Sequence, residues 1–279
     1  MTQKEAYDLI RYHAMEVYES REAEQITKYF FEDIYQLFGF SESKEFPKES
    51  EEELKAYAKR IMAGEPVQYI TGVANFYGLN FKVNKHALIP RPETEELVNW
   101  VLEDLKGKNL QFDLIDIGTG SGCIPITLKK KKPSLRIFGV ETSLDALNVA
   151  RINAKRFDVE FPVYKFDFLD EGYWENLSSY DLIVSNPPYV AHSEREKMDH
   201  HVLDYEPNLA LFTPNDNYLI FYERVAAFAK SHLKPEGTIY MEMNEFKVSE
   251  IINVFAKAGY KNIDTREDLQ GKQRMIRVS

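Results

Sequence analysis

Apolar positions fall into three regimes along the chain. In the first sixty-odd residues they recur every three or four places: Ala6, Ile10, Ala14 and Val17, then Ala23, Ile26, Phe30, Ile34 and Leu37, then Leu54, Ala58 and Ile61. That spacing lays one apolar stripe on each of three helices. Thr2 with Glu5, and Ser50 with Glu53, have the spacing of a capping box at the first and third helix starts, while Gly39 reads as the stop of the second. The polar, acidic stretch from Ser41 up to that third start reads as a loop. Gly64-Glu65-Pro66 breaks the helical spacing, and residues 74–83 then alternate as two short strands turning near Gly78. A segment stiffened by Pro90 and Pro92 leads into a helix bearing Leu97, Val101 and Leu105. Glu93, Glu95 and Glu96 crowd its positive end, and Gly107 closes it.

From Phe112 the pattern changes to strand-length apolar runs alternating with helical ones. Strands are predicted over 112–117, 135–140, 163–168, 180–185 and 238–243. Between them fall helices such as Leu144 to Phe157 behind the cap Ser143, and Asn217 to Leu233 before Lys234-Pro235-Glu236-Gly237. After a helix ending at Ala258-Gly259, Ile263 and Met275 to Val278 supply two last strands. Such alternation implies an α/β fold, a parallel sheet with helices on both faces. The expected division is a helical domain over 1–73, a β-hairpin linker over 74–86 and a sheet domain over 87–279.

Charge narrows the function classes. The 279 residues carry a net charge of -10, and residues 1–60 supply half of that excess. A surface built to neutralise a nucleic-acid backbone is disfavoured, whereas an acidic helical face is either simply solvated or meets a basic partner. No apolar run is long enough to span a bilayer, and Met1 to Arg11 reads as a charged helix rather than a signal peptide, so a cytoplasmic protein is expected. Cys123, the single cysteine, cannot form an internal disulfide and reads as a packing residue. Lys129 to Lys132 sit at a helix C-terminus, where cations meet the dipole favourably. His192, His200 and His201 lack the spacing of a ligand set, so no metal site is expected.

Two stretches carry chemistry. Asp116-Ile117-Gly118-Thr119-Gly120-Ser121-Gly122 follows the first sheet strand and opens a helix, which gives a ligand close approach to backbone amides. Its glycines are spaced G-x-G-x-G, not G-x-G-x-x-G as a dinucleotide would require, and this fits S-adenosyl-L-methionine (SAM), which has no pyrophosphate. Glu141, at the end of the second strand, is placed to accept from both ribose hydroxyls; Asp167, at the end of the third, could accept from the adenine amino group. The second stretch, Ser185-Asn186-Pro187-Pro188-Tyr189, ends the strand 180–185. Two prolines remove two donors and fix the chain, so the Pro187 carbonyl is available beside the Asn186 side-chain acceptor. Two convergent acceptors suit a planar NH2 group, and Tyr189 offers a ring to cover it. Taken alone, the four residues 186–189 fit an ordinary Pro-rich loop equally well.

In these residues the chain resembles the N5-glutamine methyltransferases of class-1 peptide-chain release factors, the PrmC or HemK family. The resemblance runs from Gly64 to near Arg277, through Gly64-Glu65-Pro66-Val67-Gln68-Tyr69-Ile70-Thr71-Gly72, Ile89-Pro90-Arg91-Pro92-Glu93-Thr94-Glu95, Asp116 to Cys123 and Ser185 to Tyr189. It implies a seven-stranded, Rossmann-like SAM-binding domain behind a small helical domain that docks the protein substrate. The implied activity is methylation of a glutamine side-chain amide, that of a Gly-Gly-Gln motif, in a release factor acting in translation termination. Asn186, Pro187 and Tyr189 are then the catalytic residues, with Pro188 also touching substrate. Asp116, Gly118, Thr119, Gly120, Gly122, Glu141, Asp167 and Asn186 are the cofactor-binding set. The chain departs from the family at Glu141, usually Asp, at Glu242-Met243-Asn244 and Lys247, and at Pro214-Asn215-Asp216-Asn217. Three alternatives stand beside this: a glutamine methyltransferase of a large-subunit ribosomal protein, an adenine-N6 nucleic-acid methyltransferase, and a SAM-binding interaction module without catalysis.

Overall fold

The computed structural model describes residues 1–108 and 110–279. The chain forms two compact units: Met1–Val73 with Val83–Lys85 and Met198–Tyr205, and Ala74–Lys82 with His86–Lys197 and Glu206–Ser279.

The first unit contains α1 (Gln3–Ala14), α2 (Ser20–Tyr35), α3 (Glu51–Met62) and α4 (Val67–Thr71). Their apolar stripes meet in a core that includes Ala6, Ile10, Phe30, Phe31, Leu54 and Ile61. The capping box at Thr2 forms: its Oγ1 accepts from the Glu5 amide at 3.1 Å, and the Glu5 carboxylate accepts from the Thr2 amide at 2.8 Å. The one expected at Ser50 does not. Ser50 ends a 3-10 turn, Lys48–Ser50, with helical dihedrals, whereas a capping side chain needs extended backbone at that residue. Helix α2 stops at Gln36, left-handed at φ 54°, three residues before Gly39. The distant stretch 198–205 belongs to this unit. His201 Nδ1 lies 2.8 Å from the Gly64 carbonyl, its ring stacks on Tyr18, and the Tyr205 hydroxyl donates to the Ala63 carbonyl.

The second unit begins at Ala74, within the hairpin of β1 (Val73–Phe76) and β2 (Leu79–Lys82), whose turn residues, Tyr77 and Gly78, both have positive φ. Phe76 and Phe81 are buried in the core of this unit. There follow α5 (Pro92–Asp104), β3 (Asp113–Ile117), α6 (Cys123–Lys131), β4 (Arg136–Glu141), α7 (Leu144–Arg156), β5 (Val163–Lys165) and β6 (Tyr180–Ser185). After the short helices α8 (His200–Leu203), part of the first unit, and α9 (Asn208–Leu211) come α10 (Ile220–His232), β7 (Leu233–Glu242), α11 (Val248–Lys257), β8 (Ile263–Glu267) and β9 (Gln273–Val278).

The seven-stranded sheet runs in the order β5-β4-β3-β6-β7-β9-β8, parallel except for β9, which is antiparallel to both its neighbours. Alternate residues of its strands feed two cores, as the pleat requires. Ile115, Ile183 and Ile239 join Val225, Phe228 and Phe255 of α10 and α11 on one face. Leu114, Leu182 and Tyr240 join Leu97, Val101 and Leu128 of α5 and α6 on the other. The chain winds outward from β3 to β5 on one side and from β6 onward on the other, so the direction reverses between β3 and β6. Ligands of open α/β sheets bind outside the carboxyl ends of the strands at that point.

Three boundaries differ from expectation. β5 ends at Lys165, leaving Asp167 in the turn beyond it. β7 begins at Leu233 and takes in Lys234-Pro235-Glu236-Gly237, with a register shift and Glu236 at φ 64°. Helix α10 begins at Ile220, since Pro214–Asp216 form a separate 3-10 turn. The lysines at the C-terminal end of α6 serve carbonyls: Lys129 Nζ donates to Pro133 and Leu135, and Lys132 Nζ to Leu105 and Lys108. Among the described residues no helix is long and apolar enough to cross a membrane.

Candidate active site

A cavity of about 540 Å³ opens at the carboxyl ends of β3, β4 and β6. One wall is the loop after β3, where Gly118, Gly120 and Gly122 all take positive φ, at 81°, 55° and 82°. Side chains with a Cβ would strain there, and at Gly122 a Cβ would also lie 2.9 Å from Ile126 Cδ1. The Gly118 and Thr119 amides donate to the Val140 carbonyl, fastening the loop to β4. Glu141 braces it further: one carboxylate oxygen accepts from the Gly120 amide and the other from the Ser143 amide, each at 2.8 Å. Burial raises the Glu141 carboxyl above its ordinary range, and these backbone amides pull it back.

Asp116 is fully buried at the root of the loop, and neither of its carboxylate oxygens has a hydrogen-bond partner. Burial pushes its carboxyl up to about 7, with the nearby Thr119 side chain opposing and the charge of Glu141 adding. An unpaired buried acid of this kind fits a cationic ligand group, and SAM carries two, an ammonium and a sulfonium. Asp167 lines the cavity beside Phe166 and Phe168, one of its oxygens accepting from the Leu169 amide.

The opposite wall follows β6. The Ser185 hydroxyl donates to the Ile117 carbonyl at 2.7 Å and so ties the ends of β6 and β3 together. Asn186, Pro187 and Pro188 then line the cavity. Asn186 Nδ2 donates to Thr94 Oγ1 at 2.9 Å, and the Thr94 hydroxyl donates in turn to Glu242 Oε2 at 2.7 Å. With its amide N–H committed this way, Asn186 keeps Oδ1 as an acceptor. The other Glu242 oxygen accepts from the Tyr189 hydroxyl at 3.1 Å. Burial raises the Glu242 carboxyl above its ordinary range, and these two hydrogen bonds and the charge of Arg274 only partly offset it.

Of the sequence-predicted residues, Gly118, Thr119, Gly120, Glu141, Asp167, Asn186, Pro187 and Pro188 line this cavity; Asp116, Gly122 and Tyr189 do not. Tyr189 was expected over the acceptor amide. Tyr189 is partly buried against the core cluster that contains Ile183 and Tyr222, and its hydroxyl donates to Glu242. His192 also lines the cavity, stacked on Phe212. Among the described residues no group of three His, Cys, Asp or Glu is gathered as a metal site would need. Thr94 and Glu242 went unrecognised in the sequence, as did the ion pair between Arg91 and the buried Glu206, which also accepts from the Ile89 amide. The available signal was positional: Glu242 ends the strand next to β6, where site residues of such sheets collect.

Glu141→Ala is expected to weaken SAM binding by roughly 1.5 to 3 kcal/mol, through loss of a charged acceptor and of the brace on Gly120. Titration calorimetry measures this, and an unchanged affinity would remove Glu141 from the cofactor site.

Residues 97–205 match the family model described as Methyltransferase small domain, and residues 34–72 match PrmC N-terminal domain. The release factor glutamine methyltransferase of Flavobacterium psychrophilum is 41% identical, over 77% of this chain and 75% of its own. That of Bacteroides thetaiotaomicron is 39% identical, over 80% and 79%. Among solved structures, a methyltransferase from Pyrococcus furiosus shares the fold with a TM-score of 0.52 at 17% identity, covering 80% of this chain and 97% of that one.

Proposed function

We propose, from the premise that this chain belongs to the release factor glutamine methyltransferases, that it methylates the side-chain amide nitrogen of a glutamine in a class-1 release factor. The chain is a SAM-dependent protein-glutamine N-methyltransferase. One observation carries the assignment of its acceptor site: the Asn186 amide is oriented by Thr94 so that Oδ1 serves as an acceptor in the same cavity as the glycine loop.

An amide nitrogen is a poor nucleophile because its lone pair is delocalised into the carbonyl. Asn186 Oδ1 and the Pro187 carbonyl accept its two hydrogens, hold the nitrogen in place and favour the positive charge that builds there. SAM, when bound, supplies a methyl group on a sulfonium, a very good leaving group. The nitrogen therefore needs alignment by Asn186 and Pro187 more than it needs a base before transfer. Glu141 and Asp167 would hold the nucleoside hydroxyls and adenine, with Gly118, Thr119 and Gly120 of the loop, backed by Asp116 and Gly122, holding the amino-acid end. The helical first unit docks the release factor, and the enzyme works in the cytoplasm without contacting nucleic acid directly.

The test is incubation with methyl-labelled SAM and, separately, a release factor, a ribosomal protein fraction and DNA, followed by mass mapping of the label. Label is expected on a glutamine side chain of the factor. Preferential label on a ribosomal protein or on adenine would overturn the substrate assignment.

A further inference from the structure

The polarity of the hydrogen bonds behind Asn186 is set from its far end. Glu242 sits at the carboxyl end of β7 and is 2% exposed. Tyr189 donates to one of its oxygens and Thr94 to the other, the Tyr222 hydroxyl donates to its backbone carbonyl, and the positive charge of Arg274 stands nearby. Burial raises the Glu242 carboxyl, but the hydroxyls of Thr94 and Tyr189 and the charge of Arg274 oppose that shift, and in the hydrogen bonds formed Glu242 is the acceptor and the Thr94 hydroxyl points its hydrogen at it. Its oxygen then presents lone pairs to Asn186, and only the NH2 end of the Asn186 amide can face a lone pair. Oδ1 is thereby turned away from Thr94.

We propose that Glu242 and Thr94 are positioning residues that fix which end of the Asn186 amide meets the substrate, through the relay from Glu242 to Thr94 to Asn186. This rests on the assignment of Asn186 as the acceptor for the glutamine amide. Without the relay the Asn186 amide has two near-equivalent orientations, and one of them presents NH2 donors to an NH2 group that must itself donate. That orientation is unproductive and like-polar. Thr94 is well placed to impose the choice, being in the first turn of α5 and 2% exposed, with its Oγ1 bonded to both partners at once. Tyr189 completes the set by occupying the remaining Glu242 oxygen. Its part is to keep Glu242 fixed.

The test is a double-mutant cycle on the whole enzyme with Thr94→Val, Asn186→Ala and the pair, reading kcat with saturating release factor and SAM affinity by calorimetry. Thr94→Val keeps the shape of the side chain and removes the relay oxygen. It is expected to lower kcat about 10- to 100-fold with SAM affinity changed less than about threefold. Thr94→Ser should restore most of the loss, because the hydroxyl returns. In the Asn186→Ala background Thr94→Val should do almost nothing further, since both act through the same amide. A near-normal kcat for Thr94→Val, or losses that multiply in the double variant, would overturn the relay while leaving the role of Asn186 intact. A near-normal kcat for Asn186→Ala alone would instead overturn the assignment on which the relay rests. Should Thr94→Val fail to accumulate as folded protein, Thr94→Ala takes its place in the same cycle.

Discussion

Asn186→Ala is expected to lower kcat about 10²- to 10³-fold, the loss that follows removal of one preorganised hydrogen-bond group from an oxyanion-hole-type site. The acceptor matters most when the amide nitrogen gives up its conjugation and its hydrogens become more acidic, so the effect falls on the transition state more than on bound substrate. The surroundings tolerate the change. β6 keeps parallel neighbours on both sides, and the Ser185 hydroxyl still ties its end to Ile117. Thr94 loses one donor but continues to donate to Glu242, so no buried hydroxyl is left unpaired. SAM affinity should change little. The measurement is kcat at saturating release factor beside SAM binding on the same preparation. A near-normal kcat would sink the two-acceptor mechanism, and an equal loss of SAM binding would move Asn186 to the cofactor pocket.

The parts of the fold that are local in sequence were legible there. β6 spans residues 180–185 as expected, because a strand covered on both faces is a continuous apolar run. β5 is shorter than its apolar run, since it is an edge strand that pairs only with β4, over Gly139 to Glu141. Phe166 and Asp167 thus fall outside the ladder and line the cavity. β7 is longer than expected. Lys234-Pro235-Glu236-Gly237 has turn composition, yet pairing of Leu233 with Tyr180 draws it into the sheet despite the irregular register. Ser50 shows the converse: the capping-box spacing is there, but the preceding 3-10 turn removes the backbone geometry the cap requires.

The site divides along the same line. The glycine loop and Asn186 to Pro188 are short contiguous motifs whose backbone demands are written in their glycines and prolines. The relay is not contiguous. Thr94 and Glu242 are 148 residues apart, and Thr94 and Asn186 are 92 apart; they meet because β7 lies beside β6 and the start of α5 covers both ends. A single sequence gives each of these residues a plausible separate role, Thr94 in a helix start and Glu242 at a strand end. Only the fold makes them one device. The bond from Tyr189 to Glu242 is hidden in the sequence for the same reason: it exists only once β6 and β7 are paired.

Asp116 sets the second large effect, a pH-dependent SAM affinity. With its carboxyl pushed up to about 7 by burial, the free enzyme is largely protonated at this residue at pH 5.5 and about half ionised at pH 7. Asp116 lies behind the glycine loop rather than on the cavity wall, and a cation held in that cavity favours its ionised form through space, so affinity should rise with pH, by up to about tenfold between pH 5.5 and 7. Over that window the donor's own α-amino group stays mostly protonated. Glu141, also raised by burial, faces the same loop and contributes its own slope at the acid end. Asp116→Asn separates the two: it keeps Glu141, loses the Asp116 slope, and at pH 7.5 should bind SAM about tenfold more weakly, since a cation in the adjoining cavity loses a nearby negative charge. Stability of the free enzyme should move the opposite way. A carboxyl raised in the folded state holds its proton more tightly there than in the unfolded chain, so this group destabilises the fold progressively as pH rises from about 4 to about 7. Removing it should therefore raise the unfolding midpoint of the free protein above pH 7 while SAM protects the variant less than the wild type. Calorimetry and thermal unfolding across pH 5.5 to 8 measure both; an unchanged SAM affinity in Asp116→Asn, or a stability loss in place of the gain, would show that Asp116 is a structural acid and leave the loop amides and Glu141 to bind the donor alone.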